Sequence, residues 1–325
     1  MTRAAAFAEA MATLSDAAVR DLAWLLLAPR LLSEAAFGAL LVNPPLDPEL
    51  LSWLHALDND PALLHAALAP LLTRRVGHYA EGLVHYALSH STQFQLVAAN
   101  LPLRVQKQTV GECDFLLEDR AGQRLHWELA VKCYLHVDAL PQTLADPLAS
   151  FVGPALGDRL DIKLRRMLDH QLPLSGRPDY AALLPPGPWQ AQMWVNGWLF
   201  DRFDHWRAGR SLNIDARLDP ALLSGFWTAA DTWPDVSEAL GAHGWTRLPR
   251  LRWIAPLATP DQSFCDSETM GAQIEAAFAL PTNGRDDPFA VAAWKKTAEG
   301  RWQELARGFI VADDWEPRAI AFAAT

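Results

Sequence analysis

Cysteine is scarce in this sequence, which has Cys113, Cys133 and Cys265 in 325 residues. Three scattered thiols are too few for a disulfide framework or a cysteine-based zinc site, and they suit a reducing compartment. The N-terminal region also lacks the basic start and long apolar core of a signal peptide. Its longest apolar run, Leu22 to Ala28, is far shorter than the roughly 20 residues that cross a bilayer. We therefore expect a cytoplasmic protein with no membrane partner.

Positive charge is also in deficit, with 28 Lys and Arg against 38 Asp and Glu, for a formal net charge of −10. This balance argues against a chain that coats nucleic acid nonspecifically, although it allows a local basic groove. A content of 50% hydrophobic and 20% charged residues is that of an ordinary globular protein. The sequence has no glycine-rich phosphate loop, nucleophile elbow or thiol–histidine signature.

Two short segments carry most of the chemical information: 111–117 (GECDFLL) and 126–132 (HWELAVK), separated by a polar turn with one glycine at 119–123. Because strand residues alternate between faces, the two segments sort into a polar face and an apolar face, which predicts a half-buried hairpin. The polar face carries Glu112, Asp114, His126, Glu128 and Lys132.

The turn predicts the register of this hairpin. If Glu118 pairs with Arg124, then Asp114 lies opposite Glu128, with their Cβ atoms roughly 4.5–5.5 Å apart. Two carboxylates at that distance either share a proton or hold a cation, and oxygen ligands favour Mg²⁺ or Mn²⁺. Lys132 lies roughly 13 Å further along the strand on the same face. The alternative is a solvated hairpin face with a cross-strand Lys–Glu pair, which the apolar neighbours disfavour because they indicate a central strand.

The surrounding pattern predicts three regions. Residues 1–73 are Ala- and Leu-rich and predict an N-terminal helical region. Residues 74–200 predict a core with the order helix, strand, strand, strand, helix, strand, in which the second helix runs from 158 to about 172. Residues 201–325 predict a C-terminal α+β extension packed on that core.

Within the extension, residues 219–240 look mainly helical and residues 247–257 look like a strand. Residues 289–296 and 301–312 look like a terminal hairpin.

The element order, with an acid on the second strand and an acid and a lysine on the third, resembles the PD-(D/E)XK nucleases. The resemblance covers about residues 74–200. Most of the chain also resembles a bacterial family known only as a domain of unknown function, through 111–116, 126–132 and further segments at 153–154, 158–163, 170–171, 197–200 and 248–250. The resemblance implies an α/β fold with a restriction-endonuclease-like core, a central mixed sheet flanked by helices.

The resemblance also implies roles. Asp114 would be the principal ligand of Mg²⁺ or Mn²⁺ and Glu128 the second, with Glu81 on the preceding helix as an extra acid. Lys132 would orient water or stabilise the phosphorane. The superfamily usually spaces its acid and lysine as Glu-x-Lys; here Ala130 takes that position and the lysine follows two residues later, on the same face.

These features favour a metal-dependent nuclease acting on DNA or RNA. Arg159, Lys163 and Arg166 would contact nucleic acid from the helix after 158, although a solvated helix face explains them equally well. One alternative is a catalytically inactive relative that binds nucleic acid or protein, which the shifted lysine and the acidic net charge motivate. Another is a metal-dependent hydrolase of a small phosphorylated molecule.

Overall fold

The structure, a computed structural model, describes residues 1–43, 46–72, 75–138, 146–212, 215–279 and 288–325. The helices are α1 (Arg3–Thr13), α2 (Ala17–Leu27), α3 (Glu34–Phe37), α4 (Leu50–Asn59), α5 (Ala62–Leu68), α6 (Val76–Ser89), α7 (Leu160–Arg166), α8 (Phe203–Arg207), α9 (Trp233–Leu240), α10 (Ser267–Phe278) and α11 (Trp315–Ala323). The strands are β1 (Phe94–Val105), β2 (Gln108–Asp119), β3 (Arg124–His136), β4 (Phe151–Val152), β5 (Gln190–Arg202), β6 (Leu223–Ala229), β7 (Gly244–Leu248), β8 (Phe289–Lys296) and β9 (Trp302–Val311).

The chain divides into two compact units. The first comprises residues 1–131 and 163–196, and the second comprises residues 132–162 and 197–325. The division passes through β3, β5 and α7, so each of these elements contributes residues to both units. The predicted boundaries after residues 73 and 200 do not coincide with it.

The first unit contains the N-terminal helices, as predicted. At the start of α2 the Asp16 carboxylate accepts hydrogen bonds from the backbone N–H groups of Ala18 and Val19, which is a standard helix cap. Almost every side chain of α2 is buried, including Asp21, whose charge is partnered by the hydroxyl of Tyr79 on α6 at 2.9 Å. A helix that is apolar nearly all round belongs in the interior, and α2 lies there.

The sheet of the first unit has the strand order β1-β2-β3-β5. The predicted register of the β2–β3 hairpin is confirmed, since Glu118 pairs with Arg124 and Leu116 pairs with His126. The Asp119 carboxylate accepts from two backbone N–H groups of the turn, and Gly122 there takes a positive φ of 77°. Strand β3 lies between β2 and β5, so the prediction of a central strand is also confirmed.

The second unit contains a mixed sheet with the order β3-β5-β6-β9-β8-β7, and β4 pairs with β3. Strand β6 runs parallel to β5 and β9, whereas β7 and β8 pair antiparallel. Across both units the fold is mixed α/β, as predicted. In the described residues no helix is both long enough and apolar enough to cross a membrane.

The C-terminal predictions were only partly right. The hairpin of β8 and β9 is confirmed, but residues 223–229 form β6 instead of helix, because Phe226 and Trp227 are buried in a central strand position. The strand predicted at 247–257 is β7, which ends at Leu248. Helices α10 and α11 had no counterpart in the prediction.

Strand β5 contains a glycine that allows an unusually close backbone approach. A Cβ atom added to Gly197 would lie 2.1 Å from the backbone carbonyl oxygen of Lys132 in β3. No real Cβ contact is that short, so any side chain at this position would force the two strand backbones apart.

Substituting Gly197→Ala should therefore destabilise the second unit by about 1–3 kcal/mol, since the strain falls on backbone atoms instead of a movable side chain. We expect the thermal midpoint, followed by circular dichroism, to fall by several degrees. Gly176→Ala is the matched control, because a Cβ there would meet no heavy atom within 4 Å. Equal midpoints for the two variants would contradict the assignment.

Candidate metal-binding site on the hairpin

Two carboxylates from adjacent strands meet in the first unit. Phe115 on β2 pairs with Trp127 on β3. Asp114 and Glu128 are the residues next to this pair on their antiparallel strands. The backbone N–H of Leu129 donates to Asp114 Oδ2 at 2.8 Å, and the backbone N–H of Asp114 lies 3.5 Å from Glu128 Oε1. The structure therefore brings together the two acids that the sequence placed opposite each other.

Glu128 is held from both sides by hydrogen bonds to side chains. Its Oε1 lies 2.8 Å from Nε2 of His126, and its Oε2 accepts from the side-chain amide of Gln171 at 2.5 Å. Both His126 and Glu128 have 0% exposed surface. A buried carboxylate is tolerated only with such hydrogen bonds, so these contacts hold the Glu128 side chain in one orientation.

The hydrogen bonds continue outward on both sides of Glu128. His126 Nδ1 lies 2.9 Å from the hydroxyl of Ser175; in a neutral imidazole that donates through Nε2, this nitrogen accepts the hydroxyl proton. On the other side, Lys163 Nζ donates to Gln171 Oε1 at 2.9 Å. The buried network therefore runs from Ser175 to an ammonium group on α7.

Electrostatics make Asp114 unusual. Burial, followed by the negative charge of Glu128, raises its pKa to about 8. The N–H of Leu129 and the charge of Lys163 act in the opposite direction without cancelling the rise. The environment of Asp114 therefore disfavours its ionised form.

Glu81 on α6 lies within electrostatic reach of this pair. Burial raises its pKa, the charges of Glu112 and Glu128 raise it further, and His78 and Lys163 lower it. In the described residues, however, no group of three His, Cys, Asp or Glu side chains is close enough to form a ready-made metal cage. The predicted role of Glu81 as a third ligand stays a prediction.

Lys132 belongs to the second unit, whereas the carboxylates belong to the first. Its ammonium forms an ion pair with Asp158, whose Oδ2 is also 3.4 Å from the hydroxyl of Tyr134. The lysine whose charge lowers the pKa of Asp114 is Lys163.

The three basic residues predicted to contact nucleic acid have different environments. Arg159 is buried, with a two-point ion pair to Asp161 and hydrogen bonds to backbone carbonyls of α11. Lys163 is half-buried beside Gln171, and Arg166 is exposed. Lys163 and Arg166 lie in the first unit and Arg159 in the second.

The sequence reasoning did not assign roles to Gln171 or Ser175. Gln171 lies in segment 170–171, one of those that resemble the family. The resemblance marked this residue but did not indicate its contact with Glu128. Ser175 lies in a proline-rich stretch that predicted only turns. Both ring nitrogens of His126 take part in hydrogen bonds, with Ser175 and with Glu128.

The donors at this site suit Mg²⁺ or Mn²⁺. Asp114 and Glu128 offer hard carboxylate oxygens, and Mg²⁺ is often bound through one or two carboxylates while it keeps several waters. Burial and the neighbouring Glu128 charge raise the pKa of Asp114, and a divalent cation held beside it would favour its ionised form.

Comparison with protein families gave one match, to a family described as a domain of unknown function, DUF1853, over residues 20–311. No curated protein and no solved structure gave a significant match.

Asp114→Asn should change how the stability of the metal-free protein depends on pH. Because the folded-state pKa of Asp114 is raised to about 8, folding favours the protonated acid, and this stabilisation is lost as pH rises from about 4 through about 8. Asparagine does not ionise and still accepts the N–H of Leu129. At pH 8 in chelator we expect the variant's thermal midpoint to be higher by roughly 3–6 °C.

The control is Glu118→Gln on the same strand, a half-buried position away from the pair. Equal thermal midpoints for the wild type and Asp114→Asn at pH 8 would contradict the prediction, because they would show that ionisation of Asp114 does not destabilise the fold.

Proposed function

This chain belongs to the DUF1853 family, and we propose that it is a metal-dependent nuclease that hydrolyses phosphodiester bonds of DNA or RNA. The observation that carries the proposal is the opposition of Asp114 and Glu128, whose carboxyl groups each lie beside a backbone N–H of the opposite strand. The order of α6, β1, β2, β3, α7 and β5 supports it, since it is the order of the PD-(D/E)XK core apart from the two-residue β4.

In this proposal Asp114 and Glu128 hold Mg²⁺ or Mn²⁺, with Glu81 as an outer acid. The metal would supply an activated water and neutralise the charge that develops on the phosphoryl group. The residues around the pair keep its geometry constant: the N–H of Leu129 positions Asp114, and His126 and Gln171 position Glu128. Such outer hydrogen bonds orient metal ligands and tune their affinity.

We assign the function of the superfamily lysine to Lys163. Its charge lowers the pKa values of both Asp114 and Glu81, and Gln171 ties its ammonium to the Glu128 carboxylate. An ammonium in this position stabilises negative charge on a phosphate bound beside the carboxylates. Arg166, exposed on the same helix, is the residue we propose for contact with the nucleic-acid backbone. Arg159 is left out of this surface because it is buried.

A second candidate function is binding of nucleic acid without hydrolysis. Lys132, which lies two residues beyond the lysine position of the motif, is engaged by Asp158. Both oxygens of Glu128 already accept hydrogen bonds from side chains. Metal binding separates the two candidates, because the non-hydrolytic one does not require it.

The first test is activity with Mg²⁺ or Mn²⁺ on single- and double-stranded DNA and RNA. We expect cleavage that chelator abolishes and that falls at least about 100-fold in Asp114→Asn and in Glu128→Gln, a loss of ~2.7 kcal/mol in transition-state stabilisation. Calorimetry should show Mn²⁺ binding to wild type and its loss in both variants.

Glu118→Gln, on the same hairpin, controls for nonspecific effects and should retain both activity and Mn²⁺ binding. Cleavage that survives both carboxylate substitutions would exclude this site. Tight binding of nucleic acid without Mn²⁺ binding or cleavage would favour the second candidate.

The second test compares the two lysines. Lys163→Met should lower kcat roughly 100-fold through loss of charge stabilisation, with a smaller effect on Mn²⁺ affinity. The loss should exceed that of Lys132→Met, which removes a partly exposed ion pair in the second unit. The reverse ranking would return the catalytic role to Lys132.

A further inference from the structure

The first unit contains a cavity of about 190 Å³ that the proposed nuclease chemistry does not use. Trp127 forms part of its wall, next in sequence to Glu128 on β3, so its side chain lies on the opposite face of the strand from the carboxylate. Leu26, Leu50 and Val84 contribute aliphatic walls from α2, α4 and α6. The cavity is therefore built from several elements of one unit and lies apart from the candidate metal site.

Aromatic rings form one side of the cavity. Phe94 and Trp127 meet edge to face, with their ring centroids 4.9 Å apart and their planes at 69°. Trp127 and Trp194 meet at 84° with centroids 5.7 Å apart. Trp53 on α4 also lines the space. Rings at near-right angles form a corner that offers both faces and edges to a further ring, the contacts that aromatic pairs prefer.

Two of the charged side chains at the cavity, Asp47 and Arg3, have hydrogen-bond partners. Asp47 accepts from the backbone N–H of Glu49 at 2.9 Å and from the Gln93 amide at 3.1 Å. Arg3 donates to the carbonyl of Leu26 at 2.6 Å. A charged ligand would have to displace these contacts, whereas an uncharged one would not. The interior therefore favours a neutral, apolar occupant.

We propose that this cavity is a binding site for a neutral planar aromatic molecule of one or two rings. The size sets the limit: an apolar cavity of about 150 Å³ binds benzene, and drug-sized ligands occupy about 300–1,000 Å³. At about 190 Å³ the cavity lies between these values. The site does not depend on the proposed nuclease activity, since it shares no side chain with the carboxylate network.

The test uses benzene, quinoline and acridine, which have one, two and three fused rings. Binding of each compound to the full chain is measured by ligand-observed NMR. Benzene and quinoline should bind, quinoline more tightly because it buries more apolar surface, and acridine should not bind. Ala87→Phe on α6 would fill the cavity, which Ala87 lines, and should weaken quinoline binding at least tenfold.

His85→Phe is the matched control, because it adds the same side chain to an exposed position of α6 that does not line the cavity. It should leave quinoline binding unchanged, and circular dichroism should show both variants folded. Absence of binding to wild type at millimolar quinoline, or equal binding to Ala87→Phe and His85→Phe, would overturn the proposal. Acridine binding as tight as quinoline binding would do so too, because it would indicate surface adsorption.

Discussion

The side chain of Glu128 has no exposed surface, and the local structure of the first unit is arranged around it. Moving a carboxylate out of water costs several kcal/mol unless hydrogen bonds replace the lost hydration. His126 supplies one of them from the same strand, and Gln171 supplies the other from the segment after α7. Two regions of the chain more than forty residues apart are thereby joined at a single side chain.

This arrangement accounts for the charge character of the site. Asp114, Glu128, Glu81 and Glu112 are close enough to influence one another's ionisation or that of their neighbours, and Lys163 opposes them. Without a bound cation such a site repels a phosphate. In the proposed function, metal binding and nucleic-acid binding are therefore coupled, because the first removes the repulsion that opposes the second. A net charge of −10 on the whole chain is compatible with that scheme.

The sequence predicted the hairpin because its information is local. A period of two sorts the faces, a short polar turn with Gly122 sets the register, and the register places Asp114 opposite Glu128. Lys163 is different, since it lies 35 residues after Glu128 and Gln171 links its ammonium to the Glu128 carboxylate. Spacing along one strand instead pointed to Lys132. Local pattern cannot show which of two lysines the tertiary fold brings to a site.

Contacts that are distant in sequence also explain the other differences between the predicted and the observed structure. Arg159 looked like part of a basic helix face, but a two-point pair with Asp161 and the carbonyls of α11 hold it in the interior. Those partners include residues some 160 positions away. Strand β6 was predicted as helix because a central parallel strand is buried on both faces and loses the alternation that identifies strands.

The path of β3 and β5 through both units has a consequence for the order of synthesis. The first unit needs residues 163–196, and the second needs residues 132–162 as well as everything after residue 196. A ribosome that has released only the N-terminal helices and the hairpin has therefore not yet produced all of either unit. Hydrophobic strands such as β3 emerge long before their final neighbours, and an exposed strand of this kind is open to aggregation. The nascent chain must protect this strand until Asn196 has left the exit tunnel.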